Sequence, residues 1–163
     1  GPLARLIQLL KYERERALAH DLAPLLQFAI EEEKDLKHFD AITFVPMRAK
    51  RQHERGFNQA ELLAKALGQS IEKPVISTLK KIRETCSQME LTGDARRENL
   101  SGAFAARSIQ LPESLLLVDD VYTTGSTLSE CAKALKASGV ERITAVTLAR
   151  APLSDHTERD HED

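Results

Sequence analysis

Two adjacent carboxylates, Asp119 and Asp120, are followed after Val121 and Tyr122 by Thr123, Thr124, Gly125, Ser126 and Thr127. Small hydroxyl residues around a glycine can curl backbone N–H groups and hydroxyls about a phosphate. A helix starting there adds the favourable end of its dipole. Gly125 lets the backbone approach such an anion without a Cβ in the way. Carboxylates ahead of the loop would repel phosphate, yet they accept hydrogen bonds from the vicinal hydroxyls of a ribose. The order of residue types therefore points to a sugar phosphate rather than a triphosphate. The plain alternative is a buried strand running into a capped helix with no ligand. The coincidence of acids, threonines and glycine in one register weighs against it.

A second concentration of charge lies upstream, in Pro46-Met47-Arg48-Ala49-Lys50-Arg51-Gln52-His53-Glu54-Arg55-Gly56. Arg48, Lys50, Arg51 or Arg55 placed beside a diphosphate, with Gly56 freeing the backbone, would make a strong anion site. A solvated basic turn is the competing reading.

The elements that must position these residues follow from apolar spacing. Leu115 to Val118 is an unbroken apolar run, as expected of a parallel strand covered on both faces. Leu128 to Ala137 then has helical spacing and ends at Gly139. Ile143 to Leu148 gives another buried strand, Ala41 to Val45 a strand ending at Pro46, and Asn58 to Leu67 a helix before Gly68. Pro74 to Leu79 reads as a further strand, and Lys80 to Asn99 as a long charged loop of the kind that is functional or mobile. From Leu3 to about Glu33 the spacing predicts one or two amphipathic helices, with Pro24 implying a break near Asp21. Alternating strands and helices imply an α/β fold with a mainly parallel sheet, which binds ligands at the carboxyl ends of its strands. The expected division is a helical region over 1–37 packing on the core, the core over 38–153, and a frayed charged tail over 154–163.

The run from Leu115 to Thr127 resembles the phosphoribosyl diphosphate (PRPP) signature of type I phosphoribosyltransferases, with Tyr122 where an aliphatic residue is commoner. That resemblance implies the type I fold, Asp119 and Asp120 on the ribose hydroxyls, and Thr123, Thr124, Gly125, Ser126 and Thr127 on the 5-phosphate. It also implies that the diphosphate loop follows the first strand, where Arg48, Lys50, Arg51, Arg55 and Gly56 stand. Purine-salvage members often carry an acid at the position of Thr123, so the chain does not look like a hypoxanthine or guanine enzyme. The Lys80 to Asn99 segment corresponds to the flexible loop that closes over substrate, with Arg83 and Lys81 as candidates to stabilise departing diphosphate. A surface loop whose charges only solvate it is the alternative.

A narrower resemblance, to the ComF family of competence proteins and its GntX-like relatives, is carried by Arg55-Gly56-Phe57-Asn58-Gln59 and by Leu10-Lys11-Tyr12. Thr85, Gln88, Leu91, Arg96, Asn99 and Phe104 fall at that family's spacing. It covers about Leu6 to Arg150. Members usually carry an N-terminal zinc ribbon, which these residues do not include, so no zinc role is transferred.

Composition sets the frame for these readings. The chain has 163 residues, 42% of them hydrophobic, enough for one domain with a real core. Lys and Arg number 23 against 25 acids, so a net charge of −2 supplies no global pull toward nucleic acid. Cys86 and Cys131 lie far apart, which argues against a zinc ribbon or a disulfide framework and suggests a reduced cytosolic setting. Cys86 is a poor nucleophile candidate, having no histidine near it in sequence. His20 and His38 read as surface or packing residues, and His156 and His161 lie in the tail, without fixed geometry for a metal. No apolar run approaches the roughly 18 to 20 residues that cross a bilayer. The opening Gly1-Pro2 has the look of a processing scar and is set aside.

The expected cofactor is Mg²⁺, held mostly by PRPP oxygens and water, with no protein residue assigned as a metal ligand. Two functions compete. One is transfer of phosphoribose to an unidentified nitrogen acceptor with release of diphosphate, with Asp119, Asp120 and Arg83 as catalytic residues. The other is a non-catalytic PRPP-sensing or single-stranded-DNA-handling domain in DNA uptake, partnered by a competence helicase or other uptake proteins. An aromatic content of 4% offers few stacking platforms for the second. A scaffold with a vestigial motif is a third reading, and the intact acids, threonines and Gly125 argue against it.

Overall fold

The computed structural model describes residues 2–34, 38–83, 94–95, 100–122 and 124–150. Thr123, Thr85, Cys86, Gln88, Leu91, Arg96, Asn99 and the 154–163 tail lie outside the described residues. A long helix α1 (Pro2–Glu32) leads into β1 (Ala41–Phe44), a short helix α2 (Ala49–Arg55) and α3 (Gln59–Ile71). Two short strands follow, β2 (Leu79–Lys81) and β3 (Phe104–Ala106), then β4 (Ser114–Tyr122), helix α4 (Ser126–Ala137) and β5 (Arg142–Arg150).

The main sheet is parallel, in the order β1-β4-β5, and β2 and β3 form a separate antiparallel pair. The period-two alternation of β4 divides the core. Leu116 and Val118 pack with Leu26 and Ile30 of α1 and Leu63 and Leu67 of α3. Leu115 and Leu117 pack on the opposite face with Leu128, Cys131 and Leu135 of α4 and with Phe104. All four β4 side chains are essentially inaccessible, each contributing about 2 kcal/mol of transfer free energy, which is why this run carries no polar residue.

Several elements depart from the sequence expectation. Pro24 does not break α1, which runs unbroken from Pro2 to Glu32, through Asp21. Losing one helical hydrogen bond is outweighed by Ala19 and Ala23 before the proline and Leu26 and Ile30 after it, all buried. The basic segment is a helical turn rather than a loop. It ends where Gly56 adopts φ 91° and donates its N–H to the Gln52 carbonyl at 2.7 Å. Helix α3 passes through Gly68 instead of stopping there, and ends at Glu72 with φ 56°. The expected strand over Pro74 to Leu79 reduces to a parallel bridge between Val75 and Ile42. The chain then turns, with Thr78 and Thr43 sharing a buried hydroxyl–hydroxyl bond of 2.6 Å, and enters β2. Lys80 and Lys81 therefore belong to a strand and not to a loop. Strand β4 extends through Asp119 and Asp120 to Tyr122, because its backbone ladder with β5 continues past the apolar run.

Asn58 ties the start of α3 to the end of β1. Its Oδ1 accepts from Ala60 N–H at 3.0 Å as an N-cap, and its Nδ2 donates to the Val45 carbonyl at 3.0 Å. Asn58→Ala removes the cap and leaves a buried carbonyl without that donor. The expected loss is about 2 kcal/mol in urea denaturation.

Candidate functional site

Strand β1 pairs with β4 only as far as Phe44 opposite Val118. Pro46 has no N–H to continue the ladder, so β1 turns away while β4 runs on beside β5, with Asp119 opposite Thr147 and Val121 opposite Ala149. A cavity of about 290 Å³ opens in the space β1 vacates. Val45, Pro46, Asp119 and Asp120 line one side, Gly125 and Thr127 the helix end, and Lys81 and Phe104 of the β2–β3 pair another wall. A recess of about 120 Å³ also borders the two acids and reaches Arg55, Asn58 and Gln59.

The acids are held by their own backbone. Asp120 N–H donates to Asp119 Oδ1 and Val121 N–H to Asp120 Oδ1, both at 2.9 Å. Burial pushes the Asp119 carboxyl up to about 7, the negative charge of Asp120 adds to the rise, and the Asp120 N–H opposes it. Two carboxyls this close to each other and to an apolar floor call for donors or positive charge from a ligand. Cys131, beneath them, is no nucleophile, since burial drives its thiol well above the ordinary range.

Gln59, in the first turn of α3, links the acids to the basic segment. With its amide oriented to satisfy both neighbours, its nitrogen donates to Asp120 Oδ2 at 2.9 Å and its oxygen accepts from Arg55 Nη2 at 3.1 Å. The Arg55 guanidinium also lies 5.3 Å from the Phe57 ring centre, and Phe57 meets Tyr12 of α1 at a ring separation of 6.5 Å. Sequence reasoning left Gln59 without a role. The available signal was its place one residue after the cap of a helix that starts beside the acids.

On the helix side, the N-cap residue of α4 is Gly125 with φ 78°, which has no side chain to cap it, and Thr124 Oγ1 accepts from the Ser126 N–H at 3.4 Å. Thr124 Oγ1 and Ser126 Oγ bond at 2.8 Å, which gathers these hydroxyls at the turn, and Thr127 lines the cavity.

The candidates of the basic segment disperse. Arg55 reaches the recess beside the acids, while Lys50 and Arg51 are exposed on α2, and Arg48 stands half-buried at its start. Gly56 serves the turn, with open space around its Cα. Of the two closing-loop candidates, Lys81 lines the cavity, its Nζ 5.8 Å from the Phe104 ring centre. Arg83 instead donates to the Ser101 carbonyl and is not among the lining residues. Among the described residues, no cluster of three or more His, Cys, Asp or Glu could hold a metal, and no helix is long and apolar enough to cross a membrane.

A parallel sheet whose central strand carries paired acids into a glycine turn and a helix defines a phosphoribosyltransferase-type domain. Residues 53–163 match the family model of the phosphoribosyl transferase domain. The solved structure of the allosteric regulatory enzyme of purine biosynthesis shares the fold. It has a TM-score of 0.55 at 16% identity, covering 82% of this chain and 26% of that one. Competence protein F of Haemophilus influenzae is 40% identical over 157 residues, covering 92% of this chain and 69% of that protein. DNA utilization protein YhgH of Salmonella typhimurium is 34% identical over 156 residues, covering 91% and 67%. The chain belongs to the ComF family, with the type I phosphoribosyltransferase fold.

Proposed function

We propose that the cleft between β1 and β4 binds PRPP with Mg²⁺, and that the protein acts in DNA uptake. The observation that carries the first part is the cavity itself. A half-buried acid pair, a glycine turn at a helix start, and a lysine line the same cavity of about 290 Å³. Asp119 and Asp120 accept hydrogen bonds from the ribose hydroxyls. Thr124, Gly125, Ser126 and Thr127, with Thr123 as the motif implies, hold the 5-phosphate, and Lys81 and Arg55 line the cavity and the recess where they can meet diphosphate. The oxygen-only donors of the acid pair suit a hard cation bound chiefly through the ligand's own oxygens, and Mg²⁺ would there offset diphosphate charge. The names of the relatives, competence protein F and DNA utilization protein, support the second part.

Calorimetric titration with Mg²⁺ and PRPP is expected to give one saturable site, with ribose 5-phosphate binding more weakly because it lacks the diphosphate. Absence of heat and of any thermal shift at saturating PRPP would refute the binding reading. Release of diphosphate in the presence of candidate nitrogen acceptors separates a transferase from a sensor.

A DNA-contacting role is favoured by one observation, the exposure of Lys50 and Arg51 on α2 outside the cavity. A salt titration of oligonucleotide binding tests it. Phosphate contacts predict affinity falling steeply with salt, and no binding at low salt excludes the contact.

A further inference from the structure

Helix α1 carries two apolar faces, and the core uses only one. Ala19, Ala23, Leu26 and Ile30 point into the domain. Around the helix, at about 100° per residue, Leu3, Leu6, Ile7 and Leu10 fall on the opposite side together with Leu18, Leu25 and Phe28. These seven side chains are 49–69% exposed. Their arc spans about 120°, as wide as the stripe by which a helix is normally buried. At on the order of 100 Å² each they present roughly 700 Å² of apolar surface, beyond the few hundred that monomers commonly expose.

We infer that this stripe joins two copies of the chain through an antiparallel pairing of their α1 helices. The stripe is self-complementary about a twofold axis between Ala17 and Leu18. In that register Ile7 meets Phe28 of the second copy and Leu10 meets its Leu25. Ala17, small enough for close approach, meets its Leu18. Arg14, exposed within the stripe, comes opposite the exposed Asp21 of the second copy, while Leu3 at the end of the stripe comes opposite Glu32 and lies outside the apolar match. A parallel pairing would instead set Arg14 on Arg14 and Asp21 on Asp21. Without Leu3 the two stripes together bury roughly 1,200 Å², at the lower end of the range of stable interfaces. No domain stands in the way, because each lies on the far side of its own helix. The exposed charge pair adds little affinity in itself, but it fixes direction and register.

Sedimentation equilibrium of the whole chain at roughly 50 µM is expected to return twice the chain mass. Leu10→Glu is expected to raise the dimer dissociation constant by at least ~100-fold, since each copy then places a carboxylate against Leu25. Arg14→Asp alone is expected to weaken association about 10-fold, and Arg14→Asp combined with Asp21→Arg to restore it. Because all these positions face outward, circular dichroism should show the helix content of the parent in every variant. A monomer at this concentration would overturn the proposal. So would a dimer indifferent to Leu10→Glu, or a charge swap that fails to rescue.

Discussion

Asp119→Asn is expected to raise the stability of the ligand-free protein while weakening PRPP binding on the order of 10- to 100-fold. Both effects come from one carboxyl. In the folded protein it titrates near 7, against about 3.9 in an unfolded chain. A folded value above the unfolded one means that the associated stability is complete below about pH 4 and is lost as pH rises through about 7. The amide carries no charge to bury, so the advantage of the variant should be nil near pH 4 and grow to roughly 2 kcal/mol above pH 7. This is less than the full shift would give, because the carboxyl opens onto the cleft. Urea denaturation across that pH span measures it. Binding moves the other way, since one charge-assisted hydrogen bond to the ribose is lost. Asparagine is the informative substitution because its oxygen can still accept from the Asp120 N–H, which alanine could not. A variant less stable than its parent at pH 8 would remove the burial cost assigned to Asp119, and one that binds PRPP equally well would remove the ribose role.

The second large effect is on folding. A Cβ added at Gly68 would lie 2.5 Å from Val75 Cγ2 and 2.8 Å from the Lys73 carbonyl oxygen. The helix must therefore pass this point bare, so that the chain leaving α3 can fold back and bridge Val75 to Ile42 beside β1. The side chain of Val75 could rotate, but the backbone carbonyl cannot. Gly68→Val is expected to cost about 3 kcal/mol or more, read as a lower midpoint in urea, whereas Gly102→Ala meets no atoms and costs only what its φ of 66° imposes. An unchanged midpoint for the valine variant would mean that the turn after α3 is not held as described.

The sheet was legible in the sequence wherever both faces are covered, because there an apolar run is obligatory. That is why Ala41 to Val45 and Leu115 to Val118 stood out, with the one buried hydroxyl of Thr43 satisfied by Thr78, and why the rest of β4 did not. Asp119 to Tyr122 is held by backbone pairing to β5, which leaves no apolar signature. Helix α2 was invisible for a related reason: seven largely polar residues with none buried have no periodic face to betray a helix. Pro24 misled because its local cost is a property of the residue, while the packing that overrides it belongs to α3. At the site, the acids and the glycine turn were readable as a contiguous motif. The Arg55, Gln59 and Asp120 chain was not, since only the turn at Gly56 and the cap at Asn58 bring Gln59 beside Asp120. The same holds for Lys81 and Arg83. Strand pairing in β2 aims Lys81 at the cavity, and two residues later Arg83 has already turned to Ser101.

Tyr12, Phe57 and Arg55 stand in series between the long helix and the acid pair. Three side chains thus span the distance from the amino-terminal helix to the recess beside the acids, so the packing of that helix helps to set where the guanidinium stands.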